Sequence, residues 1–174
     1  MIWRGFGPKN EKQRRLKKRK MKIRILSIGN KPPAWVSSGF DSFMDRFASK
    51  LKPVLIEIPA GKRHKDIQKC LLDEKKHFRN RICAKNRLIA LDEGGEEINS
   101  SQLAKKLNQW MVDGRNVEVM IGGSEGLHKS LISEAEEVLS LSRLTLPHHM
   151  ARLVFIEALY RASSILMNHP YHRD

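Results

Sequence analysis

Short apolar segments alternate with longer amphipathic segments along most of the chain. Four short segments are rich in β-branched residues or leucine and end at glycine, proline or aspartate, which is typical of buried strands. They are residues 22–28, 53–58, 87–91 and 117–121. Three longer segments have apolar residues at helical spacing, and they are residues 34–50, 64–83 and 100–113. The last of them is predicted to begin with Ser100 as its cap and to end at Gly114. This alternation predicts parallel βα units in an α/β layer.

The chain after Leu127 follows a less regular pattern. Residues 138–146 are compatible with one more short strand, and residues 149–167 are predicted to form a strongly apolar helix. This helix carries more apolar positions than one core-facing stripe needs, so we expect both of its faces to be covered. A second copy of the chain accounts for the second face, since closed two-fold dimers are the commonest oligomers.

The composition fits one globular domain with an appendage. The chain has 174 residues, 40% of them hydrophobic, and its apolar runs are far shorter than the roughly 18 residues that cross a bilayer. Cys70 and Cys83 are too few for a disulfide framework or a cysteine-rich zinc site, so we expect a reducing, cytoplasmic location. The seven histidines lack the spacing of a metalloprotease motif, and no metal is expected.

Positive charge favours a polyanionic partner, nucleic acid above all. Lys and Arg total 33 against 19 Asp and Glu, a net charge of +14. Residues 1–20 carry nine of these basic residues and only Glu11 as an acid, a net charge of +8. Such a segment is usually disordered or an RNA-binding arm, and it lacks the apolar stretch of a secretory signal. The alternative is that Met21 is the natural start and residues 1–20 are an upstream extension.

Glycines after the fourth predicted strand form the first candidate binding element. Gly122, Gly123 and Gly126 would let the backbone approach a ligand closely, and a following helix start offers free N–H groups. Their spacing differs from the dinucleotide fingerprint, which disfavours a Rossmann oxidoreductase, and Lys129 is misplaced for a Walker A loop. A plain tight turn is the alternative.

Two further segments contain candidate binding residues. Residues 141–149, LSRLTLPHH, form either a buried strand or an extended loop whose backbone reads an adenine edge and whose leucines cover an apolar ring. Residues 168–174 place two histidines, a tyrosine and an arginine at a chain terminus, where mobility is the ordinary expectation. His169 and His172 have no third ligand nearby in the sequence, so a metal site there is a weak hypothesis.

Six stretches, in order, carry a resemblance to a known family: residues 26–36, 55–63, 119–129, 139–152, 157–162 and 168–174. They resemble the RlmH (YbeA-type) ribosomal RNA methyltransferases of the SPOUT superfamily. The resemblance covers residues 21–174 as one SPOUT methyltransferase domain and indicates Met21 as the natural start. It implies a parallel α/β sheet with helices on both faces, whose C-terminal part is threaded into a deep trefoil knot, a rare feature among folds.

The resemblance also implies an activity. Members of this family are homodimers that use S-adenosylmethionine to methylate N3 of a pseudouridine, position 1915 in helix 69 of 23S ribosomal RNA, in the large subunit or the 70S ribosome. By position, the family's cofactor-binding elements correspond to Leu91, Gly122, Leu141, Ser142, Arg143, Leu144, Thr145 and Leu146. The glycines and the loop at 141–146 would then form one cofactor pocket.

Methylation at N3 requires loss of the N3 proton and stabilisation of the charge that develops on the flanking carbonyl oxygens. The candidate catalytic residues are His172, Arg173 and Arg152, and the candidate substrate-binding residues are Tyr171, Arg161 and His148. The sequence leaves open whether His172 or His148 accepts the proton. Arg161 follows Glu157 by four residues on one helix, so a structural ion pair is its alternative role. The polar tail is expected to fold over the pocket and to become ordered on RNA binding.

Two alternatives change the function. A non-catalytic ribosome-binding or assembly factor would use the basic surface alone and would bind no S-adenosylmethionine. A SPOUT methyltransferase acting on tRNA would keep the fold and the cofactor and would modify a different nucleotide.

Overall fold

The computed structural model describes residues 21–29, 32–62 and 65–171. Strands and helices alternate along these residues. The strands are β1 Ile23–Ile28, β2 Val54–Ile58, β3 Arg87–Glu97, β4 Val117–Ile121 and β5 Glu137–Ser140. The helices are α1 Ala34–Met44, α2 Ile67–Arg79, α3 Ser100–Asp113, α4 Lys129–Glu134 and α5 His148–Leu166. The predictions for residues 1–20, His172 and Arg173 lie outside the described residues.

The strands form a parallel sheet in the order β2-β1-β4-β3-β5. All five residues of the central strand β4 are buried, as expected for a parallel strand that is covered on both faces. Neighbouring residues on β4 point to opposite faces: Val119 joins a core with α1, α3 and α5, and Met120 joins a second core with α2 and α4. The predicted α/β class, with a parallel sheet and helices on both faces, is confirmed.

The ends of α3 follow from its flanking residues. Asn99 is the N-terminal cap, since its side-chain oxygen accepts a hydrogen bond from the Gln102 N–H at 2.9 Å and the Gln102 side chain accepts one from the Asn99 N–H at 2.8 Å. The prediction of Ser100 as the cap is therefore wrong by one residue. Gly114 ends the helix in a left-handed conformation with φ of 74°, which confirms its predicted role.

Strand β3 is longer than the sequence pattern predicts. The pattern ends a strand at Leu91, whereas β3 continues to Glu97 after a register shift against β5 between Leu91 and Glu96. Gly95 lies so close to β5 that an added Cβ would be 2.7 Å from the carbonyl carbon of Leu139. Gly94 and Gly95, which indicated the end of a strand, thus lie within β3 at the point where its register shifts.

Helix α5 contacts both α1 and α3 on one face of the sheet. Phe155, Ile156 and Leu159 on α5 are at most 1% exposed. Neighbours in the same subunit therefore cover one face of α5, and the second copy expected on its other face stays a prediction. The short helix α4 was not predicted, because its six residues are too few to show helical periodicity.

Candidate functional site

A pocket of about 370 Å³ opens at the carboxyl ends of β3, β4 and β5. Open α/β sheets bind ligands at this edge, where neighbouring connections leave a crevice. The lining comes from Asp92 and Glu93, residues 123–127, residues 140–142 and 144–146, and Ala151. Residues of β3, of the two loops that follow β4 and β5, and of α5 thus meet at one site.

The glycine turn, residues 122–126, closes one side of this pocket. Gly126 has a φ of 77°, a conformation that favours glycine, and its N–H donates to the Gly123 carbonyl at 3.2 Å. A Cβ added to the buried Gly122 would lie 2.3 Å from the carbonyl carbon of Gly126. Glycine at position 122 is therefore required by the turn itself, and Gly122 supports the pocket without lining it.

Residues 141–147 form a loop after β5, so the loop interpretation of this segment is confirmed. The Leu144 N–H donates to Ser142 Oγ at 2.9 Å, which fixes the backbone from within. Thr145 Oγ1 donates to Glu93 Oε2 at 3.2 Å, which ties the loop to β3 across the pocket. Leu144 is 76% exposed and presents an apolar side chain at the pocket mouth.

The structure brings most of the predicted cofactor-binding residues together. Leu141, Ser142, Leu144, Thr145 and Leu146 all line the pocket. Arg143 turns away from it, and its Nε donates to Glu97 Oε2 at 2.9 Å. Leu91 lies one residue before Asp92 and packs, partly buried, against the core.

Three carboxylates of the pocket were missed by the sequence analysis: Asp92, Glu93 and Glu125. Their sequence positions could have identified them: Asp92 and Glu93 directly follow the predicted strand at residues 87–91, and Glu125 lies within the glycine turn. Asp92 Oδ1 accepts a hydrogen bond from the Gly94 N–H at 3.0 Å, which fixes this carboxylate at the irregularity of β3. The pocket is thus acidic in a chain of net charge +14, and it suits a ligand that combines positive charge with apolar groups.

A histidine pair lies at the start of α5, just after the loop. The ring centroids of His148 and His149 are 3.9 Å apart, and His148 Nε2 lies 3.3 Å from the place that a Cβ would take at Gly29. Burial lowers the pKa of His148 below its ordinary value of 6.5, and the charges of His149 and Arg152 lower it further. The folded state therefore favours the neutral imidazole of His148, which is the form that can accept a proton.

Arg152, one turn further along α5, is only 2% exposed. Its guanidinium donates to the Gly29 carbonyl at 2.8 Å, to Glu57 Oε1 at 3.0 Å and to Ser27 Oγ at 3.3 Å. These bonds join α5 to the carboxyl ends of β1 and β2. In this setting Arg152 holds Gly29 and Glu57 in place, and its predicted catalytic role stays a prediction.

Tyr171 and Arg161 meet on the exposed side of α5. The Arg161 guanidinium lies 5.1 Å from the centroid of the Tyr171 ring, and the Tyr171 hydroxyl donates to Glu157 Oε1 at 3.2 Å. The same carboxylate accepts a hydrogen bond from Arg161, so the ion pair considered as an alternative role is present. Tyr171 also packs edge-on against Tyr160, with ring centroids 4.8 Å apart, which anchors the chain just before its last three residues.

Within the described part of the chain, no group of three or more His, Cys, Asp or Glu side chains is arranged to hold a metal ion. None of the helices there has the length and apolarity that a membrane span needs.

Two curated relatives match this chain over most of its length. Ribosomal RNA large subunit methyltransferase H of Coxiella burnetii is 44% identical over 155 residues, which cover 88% of this chain and 100% of that protein. The protein of the same name from Dechloromonas aromatica is 43% identical over 155 residues, which cover 88% of this chain and 99% of that protein.

Two solved structures share the fold at low sequence identity. A probable methylase family protein from Haemophilus influenzae aligns with a TM-score of 0.52 at 14% identity, covering 89% of this chain and 72% of that chain. A probable methyltransferase from Bordetella pertussis aligns with a TM-score of 0.53 at 12% identity, covering 86% and 98%.

The family model described as "Predicted SPOUT methyltransferase" matches residues 21–172, which include every described strand and helix. With two relatives above 40% identity over nearly their full lengths, the chain belongs to the SPOUT methyltransferase family.

Proposed function

We propose that this protein transfers a methyl group from S-adenosylmethionine to N3 of a pseudouridine in helix 69 of 23S ribosomal RNA, in the large subunit or the 70S ribosome, in the cytoplasm. The printed names of the two relatives support ribosomal RNA of the large subunit as the substrate class. The resemblance of the sequence motifs supports the finer target. The observation that carries the proposal is the acidic pocket that the glycine turn and residues 141–146 build at the carboxyl edge of the sheet.

The pocket fits S-adenosylmethionine in both size and chemistry. Its volume of about 370 Å³ lies in the range of small-molecule sites. The cofactor carries a sulfonium and an ammonium group, whose charges Asp92, Glu93 and Glu125 complement. The leucines of residues 141–146 offer apolar surface to the adenine ring, and the backbone of the same loop offers donors and acceptors to its edge.

When bound, the cofactor supplies a methyl group on a positively charged sulfur. The task of the protein is then alignment, and alignment of two reactants contributes roughly 7–11 kcal/mol in the best intramolecular cases. The glycine turn forms one wall, and the loop fixed by the Ser142 and Thr145 hydroxyls forms the other. Leu144, at the mouth, covers the pocket and excludes water from it.

His148 is the proton acceptor in this proposal. Burial lowers the pKa of its imidazole and so favours the neutral form, and His148 follows the pocket-lining Leu146 by two residues. The N3 proton passes to this imidazole as the methyl group arrives on N3. Arg152 holds Gly29, on which His148 packs, and so positions the acceptor. His172 is the alternative acceptor.

The chain end supplies the RNA contacts in this proposal. Tyr171 and Arg161 present a ring and a cation on the exposed side of α5, where they can stack on a base and contact its backbone. In this proposal Arg173, which follows Tyr171 by two residues in the sequence, stabilises charge on the base. A homodimer, in which the tail of one subunit reaches the pocket of the other, and a C-terminal knot complete the proposal, and the motif resemblance supports both.

The test is transfer of a radiolabelled methyl group to 70S ribosomes, separated subunits and naked ribosomal RNA, followed by mass mapping of the modified nucleotide. Label on N3 of the helix 69 pseudouridine is the expected result. Label in tRNA instead would replace the substrate, and a calorimetric titration that shows no S-adenosylmethionine binding would make the protein a non-catalytic ribosome-binding factor.

The chain end is tested by Arg173→Ala. Methyl transfer should fall at least about tenfold while S-adenosylmethionine affinity and the sedimentation coefficient stay unchanged, as expected for a group that acts on RNA or on the transition state. Wild-type methyl transfer by this variant would remove the tail from the mechanism.

A further inference from the structure

Three lysines follow β2 at the carboxyl edge of the sheet, and we call them the lysine row: Lys62, Lys65 and Lys69. All three are exposed. No ion pair joins any of them to a carboxylate of the described residues. Asp66, a neighbouring acid in the sequence, caps α2 instead, since its side chain accepts a hydrogen bond from the Gln68 N–H at 2.9 Å. Lys65 lies two residues before the start of α2 and Lys69 lies in its first turn, where the backbone dipole of the helix adds positive potential.

The segment that leads from β2 to Lys62 is held against α2 by hydrogen bonds. The carbonyl of Pro59 accepts a hydrogen bond from His77 Nδ1 at 2.8 Å. Two residues later, the Gly61 N–H donates to Glu74 Oε1 at 3.3 Å. An added Cβ at Gly61 would lie 2.7 Å from the Cys70 carbonyl oxygen, so the segment before Lys62 lies flat against the helix.

The same contacts connect the lysine row to the pocket. Glu74 is buried, and its Oε1 atom lies 3.0 Å from the place that a Cβ would take at Gly123. One carboxylate group therefore touches both Gly61 and Gly123. Lys62 is the residue after Gly61, and Ser124, which lines the pocket, is the residue after Gly123. The first lysine of the row thus lies beside the pocket mouth.

We propose that the lysine row binds backbone phosphates of the RNA strand that carries the target nucleotide, and so holds that strand beside the pocket. The proposal rests on the proposed function, which it deepens by assigning the surface that grips the substrate. Phosphates fit because unpaired lysines gain by releasing the counterions that nucleic acid carries. The pocket itself is acidic and repels phosphates, so RNA must be held by groups at its side.

The test compares two triple variants of the full chain. The first carries Lys62→Gln, Lys65→Gln and Lys69→Gln. The control carries Lys22→Gln, Lys50→Gln and Lys85→Gln, which removes the same charge from exposed lysines that lie before β1, β2 and β3, at the opposite edge. Affinity is measured for a naked large-subunit RNA fragment containing the target stem-loop, across a salt series, and for whole ribosomes. The affinity for S-adenosylmethionine and the KM and kcat of methyl transfer are measured as well.

The lysine-row variant should bind the RNA fragment about tenfold more weakly near 0.1 M salt, and the slope of log affinity against log salt should become shallower by about 2. The KM for RNA should rise while kcat and cofactor affinity remain those of the wild type. The control variant should change neither slope nor KM.

Three results overturn the proposal. The first is wild-type RNA affinity and an unchanged salt slope in the lysine-row variant. The second is an equal loss of RNA affinity in the control variant, which would mean that net charge alone matters. Loss of binding to whole ribosomes with unchanged binding to naked RNA would mean that the row contacts a ribosomal protein. A different result rejects the proposed function: the wild-type chain itself neither binds nor methylates ribosomal RNA. In that case the RNA-binding role of the lysine row is rejected as well.

Discussion

At the amino edge of the sheet, where the strands begin, two arginines are paired with carboxylates, whereas at the carboxyl edge the pocket carboxylates and the lysine row face the pocket or solvent. Arg24 pairs with Glu118, and Arg87 pairs with Asp113 and Glu137. At the other edge, three carboxylates line the pocket and the lysine row has no ion-pair partner among the described residues. These two groups of side chains therefore differ in whether their charge is paired within the chain or is available to a ligand.

The amino edge shows what full pairing does. Glu118 is completely buried in β4, and its carboxylate accepts hydrogen bonds from the Cys83 N–H at 3.0 Å, from Asn86 Nδ2 at 2.9 Å and from Arg24. One side chain thus ties the turn before β3 to β1 and β4. Paired charges at one edge hold the sheet together, so the loops at the other edge can be shaped for binding.

The largest effect is expected from Gly122→Val at the carboxyl edge. The new Cβ would lie 2.3 Å from the Gly126 carbonyl carbon, so the glycine turn must open and its wall of the pocket is lost. Calorimetry should show S-adenosylmethionine binding weakened by more than about a hundredfold, since the pocket depends on close backbone packing. Normal binding by a folded Gly122→Val variant would contradict the pocket assignment.

A matched control for this change lies at the amino edge. Gly114→Ala also alters a glycine, here with φ of 74° and no atom within 4 Å of the added Cβ. It should cost about 1 kcal/mol of stability, the ordinary penalty for a left-handed alanine, and leave cofactor affinity unchanged. Equal loss of binding in both variants would erase the distinction between the edges.

The second-largest effect is expected from Glu118→Ala at the amino edge. Removal of the buried carboxylate leaves the Arg24 charge, the Cys83 N–H and the Asn86 amide without their acceptor. Breaking a buried pair in this way costs about 3–5 kcal/mol, which urea unfolding should detect as a lower midpoint with an unchanged m-value. Glu118→Gln keeps one oxygen acceptor and should lose less. A loss below about 1 kcal/mol in Glu118→Ala would mean that the paired edge does not hold the sheet.

The sequence predicts the carboxyl edge better than the amino edge, for a physical reason. Strands and glycines follow short-range patterns, so β1, β4 and the glycine turn were predicted where they occur. The loop interpretation of residues 141–147 depended on the motif resemblance, because spacing alone also fits a buried strand. Networks such as the one around Glu118 join residues up to 94 positions apart, and no local pattern announces them. The contacts of α5 with α1 and α3 are a further example, because the spacing of apolar residues does not show which helices pack together.

Opposite pH dependences should separate the two edges more finely. Burial raises the pKa of Glu74 above its ordinary value of 4.5, with Glu125 adding to it, against the hydrogen bond from Gly61 and the charge of His77, which lower it. Burial also acts on the pKa of Glu137, but the bonds from Trp110 and Lys106 overcome it, and this pKa is lowered. The folded state thus favours the protonated form of Glu74 and the ionised form of Glu137.

The signs follow from linkage. The raised pKa of Glu74 contributes stability that is present below pH 4.5 and is lost as the pH rises through the pKa of the folded state. The lowered pKa of Glu137 contributes stability that is present above pH 4.5 and is lost as the pH falls through the pKa of the folded state. Glu74→Gln should therefore raise the Tm at pH 8, with the gain vanishing near pH 4. Glu137→Gln should lower the Tm at pH 8, with the loss shrinking near pH 4. Thermal scans at both pH values check this, and shifts of the same sign would contradict it.

The smallest effect on stability is expected from deleting residues 1–20. The described core begins at Met21, so the Tm of the shortened chain should change by less than about 1 °C, as for changes that remove no core contact.

The deletion nevertheless removes a net charge of +8, more than the three charges of the lysine row. If residues 1–20 bind RNA, the salt slope of RNA affinity becomes shallower and affinity falls for every RNA sequence alike. The lysine-row variant should differ, because its loss also raises the KM for the target stem-loop. A shortened chain with unchanged RNA affinity, salt slope and methyl transfer would show that the carboxyl edge supplies the necessary positive charge without these twenty residues.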